Sequence, residues 1–239
     1  MKLVLWNGWA MQPGAFAPLV RELPEAEVHL PVLTASAGEG LIDWARRLSE
    51  DVAPDVILVG WSLGAMLALA AVAQGARPRA LVLISATARF VASEEWPHGL
   101  APSVVDGFRR GFQIAPAKTM RRFLALQGLG DADQGAVLDT LANELIDPAD
   151  ASLAHGLTAL CEADLTAICA KIATVPTLLI HGSGDALMPH DAAQWLADTL
   201  PDARLMTLPN RGHAPHVSDP ATVATAIRAF ASRPTTHAG

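Results

Sequence analysis

A serine hydroxyl is a poor nucleophile at neutral pH, so a chain that uses one must hold it where a base can take its proton. Gly60-Trp61-Ser62-Leu63-Gly64 fits the pattern in which a serine sits on a sharp, strained strand-to-helix turn with small residues on either side. The β-branched run Val56 to Val59 precedes it and the Ala/Leu-rich stretch Leu63 to Ala73 follows it, which is the context such a turn requires. Ser62 is therefore the candidate nucleophile, and a plain glycine-rich turn is the alternative. The base should be a histidine on a neighbouring loop. His213, in Asn210-Arg211-Gly212-His213-Ala214-Pro215, lies between the last apolar run and the last helical stretch. Its nearest rival, His216, reads as a surface histidine on the helix side, and His181 as a packing or supporting group at a strand end. The base in turn needs an acid to fix its tautomer and stabilise its cation. Asp185 follows the run Thr177 to His181 through Gly182-Ser183-Gly184, whereas Asp191 and Asp202 read as a helix-start charge and a turn residue. Acyl transfer also needs donors for the developing oxyanion, usually the amide after the nucleophile and one from the loop after an early strand. Leu63 and Trp9, the latter in Asn7-Gly8-Trp9-Ala10, are the expected donors.

The elements that must carry these residues are short apolar runs alternating with helical stretches. Lys2 to Trp6, Val28 to Leu33, Val56 to Val59, Ala80 to Ile84, Thr177 to Ile180 and Arg204 to Leu208 read as parallel strands buried on both faces. Helical periodicity marks Leu41 to Val52, Asp191 to Leu200 and Pro220 to Phe230, the last with Asp219 as N-cap and Pro220 at the first helical position. Such alternation predicts an α/β fold, a mostly parallel twisted sheet with helices on both faces. Between about Ala88 and Ala173 no run reads as a strand. Met120, Phe123, Leu124 and Gln127 share one helical face, Lys118, Arg121 and Arg122 share another, and Gly128 and Gly130 would end that helix. Leu138, Leu141 and Leu145, then Leu153, Leu157 and Leu160, mark two more helices. The expected organisation is one core from residues 1–87 and 174–239, with 88–173 inserted as a helical lid and Arg233 to Gly239 frayed.

Composition excludes several classes. The chain has 239 residues, 51% hydrophobic and 17% charged, enough apolar side chain for one well-filled domain and too much for disorder. A formal net charge of -7 offers no whole-molecule attraction to nucleic acid or to an anionic membrane. Val56 to Ala76 is uncharged and long enough to span a bilayer, but its β-branched start, Gly60 and Ala/Leu-rich second half favour a buried strand, turn and helix. The apolar run Leu3 to Trp6 is too short for a signal peptide. Cys161 and Cys169 lack metal or disulfide spacing and read as small hydrophobes in a reducing compartment, so a cytoplasmic monomer is expected. No cluster has metal-ligand spacing and no glycine loop has a phosphate or dinucleotide pattern, so neither metal nor cofactor is expected.

The motifs together resemble the α/β-hydrolase superfamily, in which the triad runs nucleophile, acid, base along the chain, here Ser62, Asp185, His213. Further segments narrow the resemblance: Asn7-Gly8-Trp9, Glu95-Trp96-Pro97, Arg122-Phe123-Leu124-Ala125-Leu126-Gln127, and Gly212-His213-Ala214-Pro215 followed by Ser218 and Pro220. They are most similar to the pimeloyl-[acyl-carrier protein] methyl ester carboxylesterase family of biotin biosynthesis. That resemblance implies a serine carboxylesterase that removes the methyl cap from a pimeloyl chain carried on acyl carrier protein, an acidic partner. It implies that Trp9 and Phe123 contact substrate and that Lys118 and Arg122 contact the carrier. Two further family arginines fall near Gly135 and Asp139 here, so the resemblance implies carrier recognition that is either weaker or supplied by Arg109, Arg110 and Arg121. Asn7 stands where relatives commonly have histidine, and Thr34-Ala35-Ser36-Ala37 replaces the usual glycine-rich turn. Other readings of the same residues are a broad esterase for small acyl esters, a carbon-carbon bond hydrolase, or a binding protein on a hydrolase scaffold, the last opposed by an intact triad.

Overall fold

In a computed structural model, residues 1–170, 172 and 174–232 are described. Ala173 and the segment expected to fray, Arg233 to Gly239, lie outside them. Six strands form one parallel sheet: β1 (Lys2–Trp6), β2 (Glu27–His29), β3 (Val56–Trp61), β4 (Ala80–Ile84), β5 (Thr177–Gly182) and β6 (Ala203–Leu208), in the order β2-β1-β3-β4-β5-β6. The order follows from sequence character. Every residue of β3, β4 and β5 is buried, as strands with helices on both faces must be, whereas β2 and β6 lie at the edges and carry exposed positions.

The helices are α1 (Ala17–Arg21), α2 (Leu41–Ser49), α3 (Leu63–Ala73), α4 (Pro102–Ile114), α5 (Pro116–Gly128), α6 (Gln134–Ala142), α7 (Ala151–Glu162), α8 (Thr166–Cys169), α9 (His190–Thr199), α10 (Pro215–Ser218) and α11 (Pro220–Ala231). Helix α3 is apolar all round, so it has no solvent face and is buried from Leu63 to Val72. The uncharged stretch from Val56 is thus a strand, a turn and a buried helix, and no helix among the described residues is long and apolar enough to cross a membrane. Asp219 caps α11, its carboxylate accepting from the Thr222 amide. Helices α4 to α8 all fall between β4 and β5.

Several expected boundaries move. The strand expected over Val28 to Leu33 ends at His29; Pro31, lacking an N–H, cannot extend a ladder. The expectation of burial on both faces fails for β2 and β6 because each has only one neighbouring strand. The helix expected over Leu41 to Val52 ends at Ser49, before Pro54. Leu145 lies beyond α6, paired with Met11 in an isolated bridge. Helix α4 does not stand out in the sequence, since Gly107 and Gly111 interrupt it and only Val105 and Phe112 are buried.

This order places the chain reversal at β1 and β3, the neighbours from which the sheet grows in opposite directions. In open parallel sheets the crevice outside the strand ends at such a switch point is where ligands bind. The loops after β1, β3, β5 and β6 leave the same edge of the sheet, because parallel strands share one direction.

Candidate active site

Ser62 lies at the end of β3 with φ 56° and ψ -117°, a left-handed conformation that a side-chain-bearing residue adopts at an energetic cost. The surrounding glycines explain how the chain can turn there. A Cβ on Gly60 would lie 2.5 Å from the Gly64 carbonyl oxygen, and one on Gly64 would collide with the Trp6 carbonyl of β1. The Ser62 amide is bonded to the Ile84 carbonyl (3.0 Å). Leu63, at the first position of α3, has an N–H with no acceptor inside the helix. The first loop backs directly onto this turn: a Cβ on Gly8 would sit 3.3 Å from Ser62 Cβ. Asn7 closes that loop, its amide nitrogen donating to the Gly8 carbonyl (3.1 Å) and the Met11 carbonyl (2.5 Å). Trp9 and Leu63, the expected oxyanion donors, line one small cavity together with Gly8.

His213 and Asp185, 28 residues apart, are brought together. Nδ1 of the fully buried imidazole lies 2.9 Å and 2.8 Å from the two Asp185 carboxylate oxygens. The carboxylate is itself oriented, since its Oδ1 accepts from the Leu187 and Met188 amides, each at 2.9 Å. Burial pushes the Asp185 carboxyl up, but the charge and hydrogen bond of His213, with His181 and the Met188 amide, together hold it below the ordinary value of 3.8. Nε2 of His213 is buried and has no hydrogen-bond partner among the described residues. A neutral imidazole pinned through Nδ1 to a carboxylate presents that other nitrogen as a base. Trp61, at the end of β3, holds the His213 loop, its indole N–H donating to the His213 carbonyl (2.9 Å).

The other histidines divide as follows. His181 is the supporting group expected: buried, its Nε2 lies 2.8 Å from the Met188 carbonyl and 3.4 Å from Asp185. Burial lowers its pKa despite the opposing pull of Asp185. His216 is not the surface residue expected. It is fully buried, its ring 4.5 Å from Trp61 and 4.8 Å from Phe16, with neither ring nitrogen partnered among the described residues. The reason is α10, a four-residue turn that folds inward before α11 begins, a feature too short to carry periodicity. Asp191 lies in the first turn of α9 and the Asp202 carbonyl accepts from Thr177, so neither competes for the base. Both cysteines behave as hydrophobes, burial pushing the thiols up to about 11 at Cys161 and about 12 at Cys169.

Next to these loops lies an apolar cleft of about 420 Å³, part of it open to solvent. Trp9 and Phe123 line it, joined by Phe90, Val104, Phe108 and Leu187, none of which stood out in the sequence. Trp9 meets Phe108, Phe112 and Phe123 edge-on at 5.7, 5.6 and 4.9 Å, and its indole N–H donates to the Leu153 carbonyl (2.9 Å). Leu187 belongs to the turn that binds Asp185, so the cleft reaches from the first loop to the acid. Lys118 and Arg122, on α5, are exposed and have no ion pair among the described residues; Arg110 and Arg121 are likewise exposed, while Arg109 lies 3.8 Å from Glu162.

Residues 3–226 match the alpha/beta hydrolase family. The chain is 40% identical, over 94% of its length and 96% of the relative's, to the pimeloyl-[acyl-carrier protein] methyl ester esterase of Aromatoleum aromaticum. It is 36% identical to the protein of the same name from Stenotrophomonas maltophilia, over 95% of this chain and 92% of that one. Among solved structures, an esterase from Exiguobacterium antarcticum shares the fold with a TM-score of 0.84 at 18% identity, covering 98% of this chain and 92% of that one.

Proposed function

The chain belongs to the alpha/beta hydrolase family and is a carboxylic ester hydrolase, and on that premise we propose that it hydrolyses the methyl ester of a pimeloyl chain carried on acyl carrier protein, in the supply of biotin precursor. The observation that carries the mechanism is the buried Asp185–His213 pair with Nε2 unpartnered, on a loop held by the strand that bears Ser62. Ser62 Oγ attacks the ester carbonyl as Nε2 takes its proton, and the Trp9 and Leu63 amides receive the oxyanion. His213 returns the proton to the departing methoxy group, so methanol leaves and the acyl chain remains on Ser62. The same nitrogen then activates water, which releases the carboxylate.

The substrate assignment rests on the names of full-length relatives and is supported by the cleft. Its apolar lining suits a polymethylene chain ending in a neutral ester, and no lining residue could pair with a carboxylate, which is costly to bury alone. In this reading residues 88–173 form a lid on the core of 1–87 and 174–239, with Phe123 over the acyl chain and the unpaired Lys118 and Arg122 facing the acidic carrier. Turnover of methyl pimeloyl carrier against short p-nitrophenyl esters tests the reading. A higher kcat/KM on the carrier, with rescue of a biotin auxotroph lacking its own esterase, is expected; turnover of short esters alone would replace it with the broad-esterase reading.

A further inference from the structure

We propose that Asp131, in the turn after α5, is a positioning residue for the base: its buried carboxylate anchors the amide next to His213 and so ties the helical segment to the catalytic loop. The inference rests on the triad reading above. Asp131 lies 81 residues from the loop it holds. Its side chain is fully buried. Oδ2 accepts from the Gly212 amide (2.8 Å) and the Ser218 hydroxyl (2.7 Å), and Oδ1 accepts from the Asp133 amide (2.8 Å) with Arg211 Nη1 3.6 Å away. A buried carboxylate is expensive unless such donors satisfy it, so ordinary packing does not account for its presence. Gly212, which donates to the carboxylate, and Arg211, whose guanidinium pairs with it, are the residues directly before His213.

The neighbouring backbone reinforces the contact. The Ala132 amide donates to the Asn210 carbonyl (2.8 Å). Gly130 has φ 81° and packs so closely on Gly184, the residue before Asp185, that a Cβ on either would strike the other's backbone. A Cβ on Gly212 would lie 3.0 Å from the Leu129 carbonyl oxygen and 3.2 Å from Asp131 Cβ. The acid and base loops are also bonded to each other, through the Gly184 amide and the Arg211 carbonyl (2.9 Å). The turn from Leu129 to Ala132 is therefore wedged against both loops, and Asp131 makes the charge-assisted bonds that fix the base loop's position. None of this touches substrate; it acts through where Nε2 sits.

The test compares Asp131→Ala and Asp131→Asn with the full-length wild type on a short p-nitrophenyl ester, with kcat counted per site titrated by a fluorophosphonate. Val72→Ala, a cavity-forming change at the far end of α3 from Ser62, serves as the destabilised control. Because small misplacements of a catalytic group are costly, Asp131→Ala should lower kcat by roughly ten-fold or more with KM within about two-fold. Asp131→Asn should recover most of that loss, because its amide oxygen can still accept from Gly212, and Val72→Ala should keep the wild-type kcat per titrated site. Wild-type kcat in Asp131→Ala, a loss carried by KM, equal losses in the Ala and Asn variants, or failure of both to fold would overturn the assignment. A wild type that neither reacts with the fluorophosphonate nor cleaves the ester would overturn the triad reading instead.

Discussion

Replacing His216 with leucine should make the protein markedly more resistant to mild acid. The ring is fully buried against Trp61 and Phe16, and among the described residues neither nitrogen has a partner. Burial first, and then the neighbouring charge of His213, push its pKa from the ordinary 6.5 down to about 3. The folded-state value lies below the unfolded one, so as pH falls the unfolded chain takes up the proton first. Stability is therefore lost as the pH drops below 6.5, and the loss continues until the folded value is reached. Between pH 7 and pH 5 the linkage relation gives a loss of about 2 kcal/mol from this one group. His216→Leu removes it. The variant also removes two unpaired polar atoms and alters packing, but those contributions are the same at both pH values and cancel in the comparison. Urea unfolding of both proteins at pH 7 and pH 5 supplies the four free energies required. The advantage of the variant should be about 2 kcal/mol larger at pH 5 than at pH 7. An advantage that is equal at the two pH values would refute the reasoning, because it would mean that the buried ring is protonated as readily in the folded protein as in the unfolded chain.

Two further outcomes test the site. In Asp185→Asn the amide oxygen should remain on the Leu187 and Met188 amides, which places the NH2 against His213 Nδ1 and forces the proton onto Nε2. Steady-state kinetics should show kcat reduced by roughly a thousand-fold or more with the fold intact by circular dichroism; wild-type kcat in this variant, with loss on replacing Asp191 or Asp202, would reassign the acid. The Lys118→Glu, Arg122→Glu pair should lose kcat/KM on the carrier-linked ester but not on a small ester, and the difference should shrink with added salt, since exposed charges are screened over about 8 Å at physiological ionic strength. Equal losses on both substrates would indicate damage to the helix, and no loss on either would return these charges to a solvated face.

What could be read from the residues themselves was whatever depends on local chemistry. The strained turn at Ser62 needs Gly60 and Gly64 beside it and an apolar strand and helix around it, all within a short stretch of chain. The expected pairing of His213 with Asp185 rests on their places in the loops after β6 and β5, and the structure brings the two into hydrogen-bond contact; the central strands β3, β4 and β5 read as apolar runs and are buried throughout. What local chemistry does not fix is decided by tertiary context. His216 is polar by composition and buried because α10 turns inward. Asp131 looks like an ordinary turn residue until the fold brings Gly212 and Ser218 to its carboxylate. The cleft collects Phe90, Val104, Phe108 and Leu187 from separate segments, none with a motif. Pro31 and Pro54 are boundary signals carried by the sequence itself, the first stopping β2 early and the second following the end of α2.

The central claim, that ester cleavage passes through an acyl group on Ser62, is tested most directly by quenching the enzyme with methyl pimeloyl carrier during turnover and mapping the adduct by peptide mass spectrometry. The expected adduct, on the peptide that contains Ser62, has lost the methyl group and is still joined to the carrier through its thioester; an acyl adduct that keeps its methyl ester and has lost the carrier would mean that the thioester was cleaved instead. In Ser62→Ala the adduct should vanish and methanol release should fall by roughly a thousand-fold or more. An adduct on another residue, or methanol release near the wild-type rate from Ser62→Ala, would contradict it.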